Sequence, residues 1–326
     1  MTEQCSKEPL MVTIRCITYN HEPYIRQCLE GFVMQKTNFR FEAIVHDDAS
    51  TDGTADIIRE FADKYPDIIK PIFETENQYS KHDGSIRRIM DAHTHGKYVA
   101  ICEGDDYWID PLKLQKQVDF LDTHKNYGLV FTDVNCYYQE SGLIKEKCFS
   151  SGFLSVSKSF IEHLYNAGFI APCSWLYRIE LLNLTESKNY VDGTFPFALD
   201  VWANTNIYYM KEVTTVYRVL PNSASHSASL RKRYNFSKGL FQIKKDYINK
   251  YKNLLSEQDE FNINKRAFVM LSKSAIALSD NKFLEEAELF FKSNCLYHYY
   301  LFLKLRFIFP LKALSIHIYK KKGFHI

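Results

Sequence analysis

The chain has 326 residues, 46% hydrophobic and 25% charged, an ordinary globular composition with length for one large core or two smaller ones. A net charge of +2 gives no global field for a nucleic-acid backbone, and the positive clusters come late, at Arg231-Lys232-Arg233, Lys244-Lys245 and Lys320-Lys321-Lys322. Eight cysteines include no C-x-x-C pair, against a zinc or dithiol site, and the polar start Met1 to Pro9 carries no leader pattern, so a reducing cytoplasm is expected.

Residues 11–17 read as a first strand. Helix one follows, with Pro23 near its first turn and Ile25, Cys28, Leu29, Phe32 and Val33 on one stripe. Residues 41–46 read as strand two. Helix two is expected to be capped by Ser50 or Thr51, with Ile57, Ile58, Phe61, Ala62 and Tyr65 on its buried side and Pro66 ending it. Further strands are expected at 68–73, 97–102 and 128–132, and helices around 85–94 and 111–122. Strands alternating with helices predict an α/β fold with a mostly parallel sheet flanked by helices. Beyond that the pattern loosens. Residues 153–182 read as mostly helical with a break at Ala171-Pro172, a short strand is expected at 212–219, and the chain from about 231 reads as helical and basic.

Leu296 to Ile326 is hydrophobic and aromatic, but Lys304, Arg306 and Lys312 interrupt it and Pro310 breaks it. A spanning helix needs roughly 20 nearly uncharged residues. The stretch therefore reads as an interfacial helix, with cations for anionic headgroups, or as a packed C-terminal helix.

Two acidic clusters carry the chemistry. His46-Asp47-Asp48-Ala49-Ser50-Thr51-Asp52-Gly53-Thr54 follows strand two, and Glu103-Gly104-Asp105-Asp106-Tyr107-Trp108 follows the strand at 97–102. Carboxylates at the ends of buried strands are poor core material and sit where open α/β sheets bind ligands. A divalent cation on a diphosphate keeps ligands from phosphate and water, so one or two carboxylates suffice, and Asp105 and Asp106 meet that need. Asp48, before a tight turn, is placed to accept from a base N–H or a ribose hydroxyl. Capping and solvated turns are the structural alternatives for both clusters.

In order and spacing, Thr18-Tyr19-Asn20-His21-Glu22, the Asp47 to Thr54 cluster, and Gly96-Lys97-Tyr98 leading to Glu103-Gly104-Asp105-Asp106 resemble the family 2 glycosyltransferases. The resemblance covers roughly residues 11–230. It implies a GT-A fold, Rossmann-like, over residues 1–230. Its nucleotide-binding half would be 10–135 and its acceptor half 136–230, and a helical, basic-aromatic region would follow at 231–326. It implies an inverting transfer from a nucleotide-sugar, a UDP-sugar first of all, to a glycan or lipid-linked acceptor in polysaccharide biosynthesis; the basic, aromatic tail, and not the resemblance, motivates a peripheral contact at the inner face of the membrane. Thr18, Asn20 and Glu22 would line the nucleotide pocket, Asp48 would read the base, and Arg87 would lie near the diphosphate. Asp105, with Asp106 beside it, would hold Mn2+ or Mg2+. Glu103 stands where the family's D-x-D motif begins with Asp.

The resemblance places the general base at Asp200, in Phe195-Pro196-Phe197-Ala198-Leu199-Asp200-Val201-Trp202, with Asp192 as the alternative. An apolar setting would lift its basicity toward a useful range. Trp202 is expected as a sugar platform or as core. Ala171 to Arg178 resembles the acceptor-side stretch, and Val216 to Ser225 the loop closing over the donor. The position of the metal-binding His of some members holds Leu220, and His226 lies nearby. Two rivals remain: a nucleotidyltransferase, which would carry a Gly-rich phosphate loop after strand one, and a non-catalytic transferase-like module that binds or scaffolds.

Overall fold

A computed structural model of the chain describes residues 8–184, 188, 190–221 and 229–304. In chain order the elements are β1 (Leu10–Thr18), α1 (Ile25–Val33), β2 (Arg40–Asp47), α2 (Thr54–Lys64), β3 (Ile69–Phe73), α3 (Ser85–Ala92) and β4 (Tyr98–Ile101). There follow β5 (Tyr107–Trp108), α4 (Lys113–Thr123), β6 (Tyr127–Tyr138), β7 (Leu143–Lys145), α5 (Phe160–Asn166), β8 (Leu176–Arg178), α6 (Thr194–Asn204) and β9 (Asn206–Val219). The helices α7 (Leu230–Lys250), α8 (Glu257–Leu278), α9 (Asn281–Ser293) and α10 (Tyr297–Lys304) complete the described chain.

The chain divides into two compact units, the first of residues 1–156, 169–189 and 193–220, the second of residues 157–168, 190–192 and 221–326. Two short stretches before residue 221 thus belong with the C-terminal helices, so the division is not one cut in the sequence.

The first unit is built on a sheet ordered β3-β2-β1-β4-β8-β6-β9-β5, with β7 beside β6. The strands β3, β2, β1 and β4 run parallel, as the alternation of strands and helices predicts. Val12, Ile14 and Cys16 of β1 are fully buried, and α1 buries Ile25, Cys28, Leu29 and Phe32 against this half. The other half is mixed: β8 runs antiparallel to both β4 and β6, β9 runs parallel to β6, and β5 runs antiparallel to β9.

Residues 153–182 depart from the helical reading. Only α5 is an α-helix there, and 172–174 and 179–183 are 3-10 turns flanking β8. Gly168 and Pro172 interrupt any longer helix, and the apolar residues after them are buried as sheet and turn. The helix two cap also differs. Asp52 Oδ1 accepts from the Thr54 N–H at 3.0 Å, and Glu22 Oε2 accepts from the Gly53 N–H at 2.9 Å.

The second unit packs α7 to α10 around Phe241, Phe268, Leu271, Phe283 and Phe291, with α5 lying against α8. A capping box starts α8: Ser256 accepts from the Asp259 N–H, and Asp259 accepts from the Ser256 N–H. Among the described residues no helix is long and apolar enough to cross a membrane.

Candidate active site

The parallel order places three connections at one edge. β1 lies between β2 and β4, with Thr18 level with Asp47 and Arg15 level with Ile101. The Thr18–Glu22 loop therefore leaves the sheet between the two acidic turns. Both turns are tied to the end of β1, since Asp48 N–H donates to the Thr18 carbonyl and Gly104 N–H to the Ile17 carbonyl, each at 3.0 Å.

The first turn is braced by the loop after β1. Asn20 sits at φ 53°, a left-handed conformation that Asn tolerates. Its N–H donates to Ser50 Oγ at 2.9 Å, and its Oδ1 accepts from the Thr51 N–H at 2.8 Å. Glu22, besides holding the Gly53 N–H, donates its own N–H to Asp52 Oδ2 at 3.1 Å. Asn20 and Glu22 thus fix the wall of the edge. Asp48 is buried, and its oxygens accept from the N–H groups of Gln78 at 2.6 Å and Tyr79 at 3.0 Å.

The second turn is packed closely onto the first loop. A Cβ built at Gly104 would meet Thr18 Oγ1 at 2.5 Å and His21 Nδ1 at 2.9 Å. Both of these atoms are buried with no hydrogen-bond partner among the described residues. Buried orphans are uncommon in folded proteins, and each calls for a partner such as water, an ion or a ligand. Burial holds the His21 imidazole below its ordinary value, helped by the Arg218 charge and opposed by Asp105 and Asp52.

The adjacent carboxylates divide in role. Asp106 is 3% exposed, and its Oδ1 accepts from the Arg218 N–H at 2.7 Å. Burial first, and then the Asp105 charge, push its carboxyl well above the usual range. Asp106 faces inward as a structural acceptor, whereas the sequence reading sets it beside the metal; the reason is the main-chain donor on β9. Asp105 is half-buried, and its carboxylate makes no hydrogen bond among the described residues. The Glu103 side chain is exposed, and its carbonyl closes the turn by accepting from the Asp106 N–H at 3.0 Å. Burial, then the Asp106, Glu103 and Asp105 carboxyls, push the Tyr217 phenol up.

Thr18, Asn20, Glu22, Asp48, Glu103, Asp105 and Asp106 therefore share one edge. Arg87 is otherwise engaged. Its Nε lies 3.4 Å from Asp91 Oδ2, one turn on along α3, and its Nη2 donates to the Leu182 carbonyl at 2.8 Å. Asp200 lies within α6, fully buried, and Asp192 falls in the second unit. Trp202 packs against the first unit's core. His226 lies outside the described residues. No group of three or more metal-ligating side chains occurs among the described residues, so a cation here would depend on Asp105 together with a diphosphate.

Sequence reasoning assigned no role to His21 or Arg218. Arg218 had a signal: it alternates with Thr214 and Val216 on the inward face of a strand, where a charge is out of place.

An α/β sheet with acidic turns at the carboxyl ends of its strands is an architecture that binds ligands at that edge. The glycosyl transferase family 2 model matches residues 13–184, and the chain belongs to that family of glycosyltransferases. It is 45% identical over 129 residues to an uncharacterized protein of Mycobacterium tuberculosis, covering 40% of this chain and 36% of that one. It is 33% identical over 141 residues to the Escherichia coli UDP-Glc:alpha-D-GlcNAc-diphosphoundecaprenol beta-1,3-glucosyltransferase WfaP, covering 43% of this chain and 51% of that one. The matches thus span 36% and 51% of those relatives' lengths. Staphylococcus aureus TarS 1-349, solved in complex with UDP-GlcNAc, superposes with a TM-score of 0.63 at 17% identity over 97% of this chain and 93% of that one. A mannosyltransferase of Pyrobaculum calidifontis, solved with GDP-Man and Mn2+, gives 0.57 at 18% over 97% and 89%. At such identities the likeness shows the fold, which is GT-A, with a helical C-terminal region.

Proposed function

We propose that the chain is an inverting glycosyltransferase that moves a sugar from a nucleotide-sugar, a UDP-sugar first of all, to a glycan or lipid-linked acceptor. The observation that carries the donor site is the pair of buried polar atoms at one sheet edge without a hydrogen-bond partner among the described residues, Thr18 Oγ1 and His21 Nδ1, together with the Asp105 carboxylate that acts on the His21 ring. A relative named for UDP-Glc and two fold neighbours solved with UDP-GlcNAc or GDP-Man support a nucleotide-sugar over other nucleotides.

Asp105 is the residue to hold a divalent cation, Mn2+ or Mg2+, while Asp106 keeps the turn in place. The cation, when bound, neutralises charge on the departing diphosphate. Thr18 and His21 offer a hydroxyl and a ring nitrogen against Gly104 of the same turn, and Asn20 and Glu22 keep the first turn rigid. Asp48 presents its remaining lone pairs to the base. Asp200 is the general base. The acceptor oxygen forms its bond to the anomeric carbon as the bond to the diphosphate breaks, and the hydroxyl proton passes to the Asp200 carboxylate. Attack opposite the leaving group inverts the anomeric centre.

The acceptor side rests on composition. The run 296–326 is basic and aromatic, its residues 305–326 lie outside the described residues, and we assign it a peripheral contact with anionic lipid at the inner membrane face.

Calorimetric titration of UDP, GDP and a panel of UDP-sugars, with and without Mn2+, tests the donor site. Metal-dependent binding that Asp105→Ala abolishes supports the proposal. Nucleotide binding without transfer to any acceptor favours a binding module, and no nucleotide binding at all removes the donor site.

A further inference from the structure

Arg218 is 7% exposed near the end of β9, and a charge buried there needs its donors satisfied. Its partners are uncharged. Nε donates to the Asp105 carbonyl at 2.6 Å, Nη1 to Gln139 Oε1 at 2.7 Å and Nη2 to Gln27 Oε1 at 2.8 Å. The rings of Tyr24, Tyr107 and Tyr137 surround the guanidinium carbon, with centroids 4.8, 5.2 and 5.4 Å away. The same residue donates its main-chain N–H to Asp106 Oδ1. One arginine therefore bonds two successive residues of the acidic turn while braced on α1 and on the residue that follows β6.

We infer that Arg218 is the positioning residue of the 103–106 turn, fixing the direction in which Asp105 presents its carboxylate. A planar fork with donors on three nitrogens suits this task, and a lysine, with one nitrogen on a flexible stem, does not reproduce it. The tyrosine rings hold the plane by cation–π contact, so the side chain is set before any ligand arrives. The geometry stands by itself; its consequence for catalysis rests on the donor-site proposal above.

The test compares wild type, Arg218→Lys and Gln27→Leu by hydrogen exchange of the 103–107 segment and by titration of UDP with Mn2+. Arg218→Lys is expected to speed exchange at the Asp106 amide and to weaken metal-dependent UDP binding about 10–100-fold, the range for removing a partner that orients a metal ligand. Gln27→Leu keeps the arginine and removes one brace, so it should fall between the two and covers the case in which Arg218→Lys does not fold. Unchanged exchange in both variants overturns the positioning role. Faster exchange with wild-type UDP affinity overturns its link to the donor. A wild type that binds no nucleotide removes the donor-site proposal, and exchange still decides whether Arg218 fixes the turn.

Discussion

Gly104 lies against Thr18 so closely that a Cβ at 104 would stand 2.5 Å from Thr18 Oγ1. The second acidic turn can approach the loop after β1 because this residue has no side chain. Gly104→Ala should push the turn off β1, cost about 1–3 kcal/mol of stability and weaken Mn2+-dependent UDP binding. Urea unfolding and calorimetry on the same variant check both. Wild-type values in each would show that the turn moves aside freely.

The neighbouring aspartates should separate in experiment. Asp105→Asn should lose metal-dependent nucleotide binding while stability stays within about 0.5 kcal/mol, as for a surface change. Asp106→Ala leaves the buried Arg218 N–H without its acceptor and should cost about 1–3 kcal/mol. Thermal and urea unfolding beside nucleotide titration read both effects, and the reverse pattern would exchange the two roles.

Asp200→Asn keeps the shape of a buried side chain and removes its capacity to take a proton. Turnover should fall roughly 10²–10⁴-fold, the range for a lost general base, with UDP affinity unchanged. Single-turnover transfer and donor titration separate the two quantities. Turnover within a few-fold of wild type would move the base elsewhere, Asp192 first.

Lys113 gives a pH dependence of known sign. It is fully buried, donates to Gln117 Oε1 at 2.7 Å and lies over the Trp108 ring, and burial lowers its ammonium to about 7. Between pH 7 and the ordinary lysine value the unfolded chain holds a proton that the folded chain has released, so stability rises with pH there. The contribution approaches about 1.4 kcal/mol per pH unit. Urea unfolding from pH 7 to 9 should show a shallower rise in Lys113→Met than in wild type, and equal slopes would mean that the folded protein keeps this lysine charged.

The parallel half of the sheet was legible because its signals are local. Ile25, Cys28, Leu29 and Phe32 repeat at helical spacing and all are buried. The acidic turns were legible as strand-end chemistry. β8 was not, since its three residues become a strand only by pairing with β4 and β6. The sequence pattern predicts a strand only over 212–219, whereas β9 begins at Asn206; its early residues take strand form by lying beside β6, with register shifts at Thr132 and Asp133. The inward turn of Asp106 was hidden because its donor, Arg218, lies 112 residues away. Arg218's own role depends on Gln27, 191 residues away, and no local pattern announces such a pair.

The grip on Asp48 is made of main chain: its carboxylate is held by the N–H groups of residues 78 and 79, whatever side chains those residues carry. Tyr79 is 67% exposed, so its identity is not set by packing. Residue 79 can therefore vary widely without releasing the aspartate, whereas the Gln78 side chain also bonds Glu74, the Glu76 carbonyl and Lys81. Proline is the forbidden letter, because it has no N–H to give.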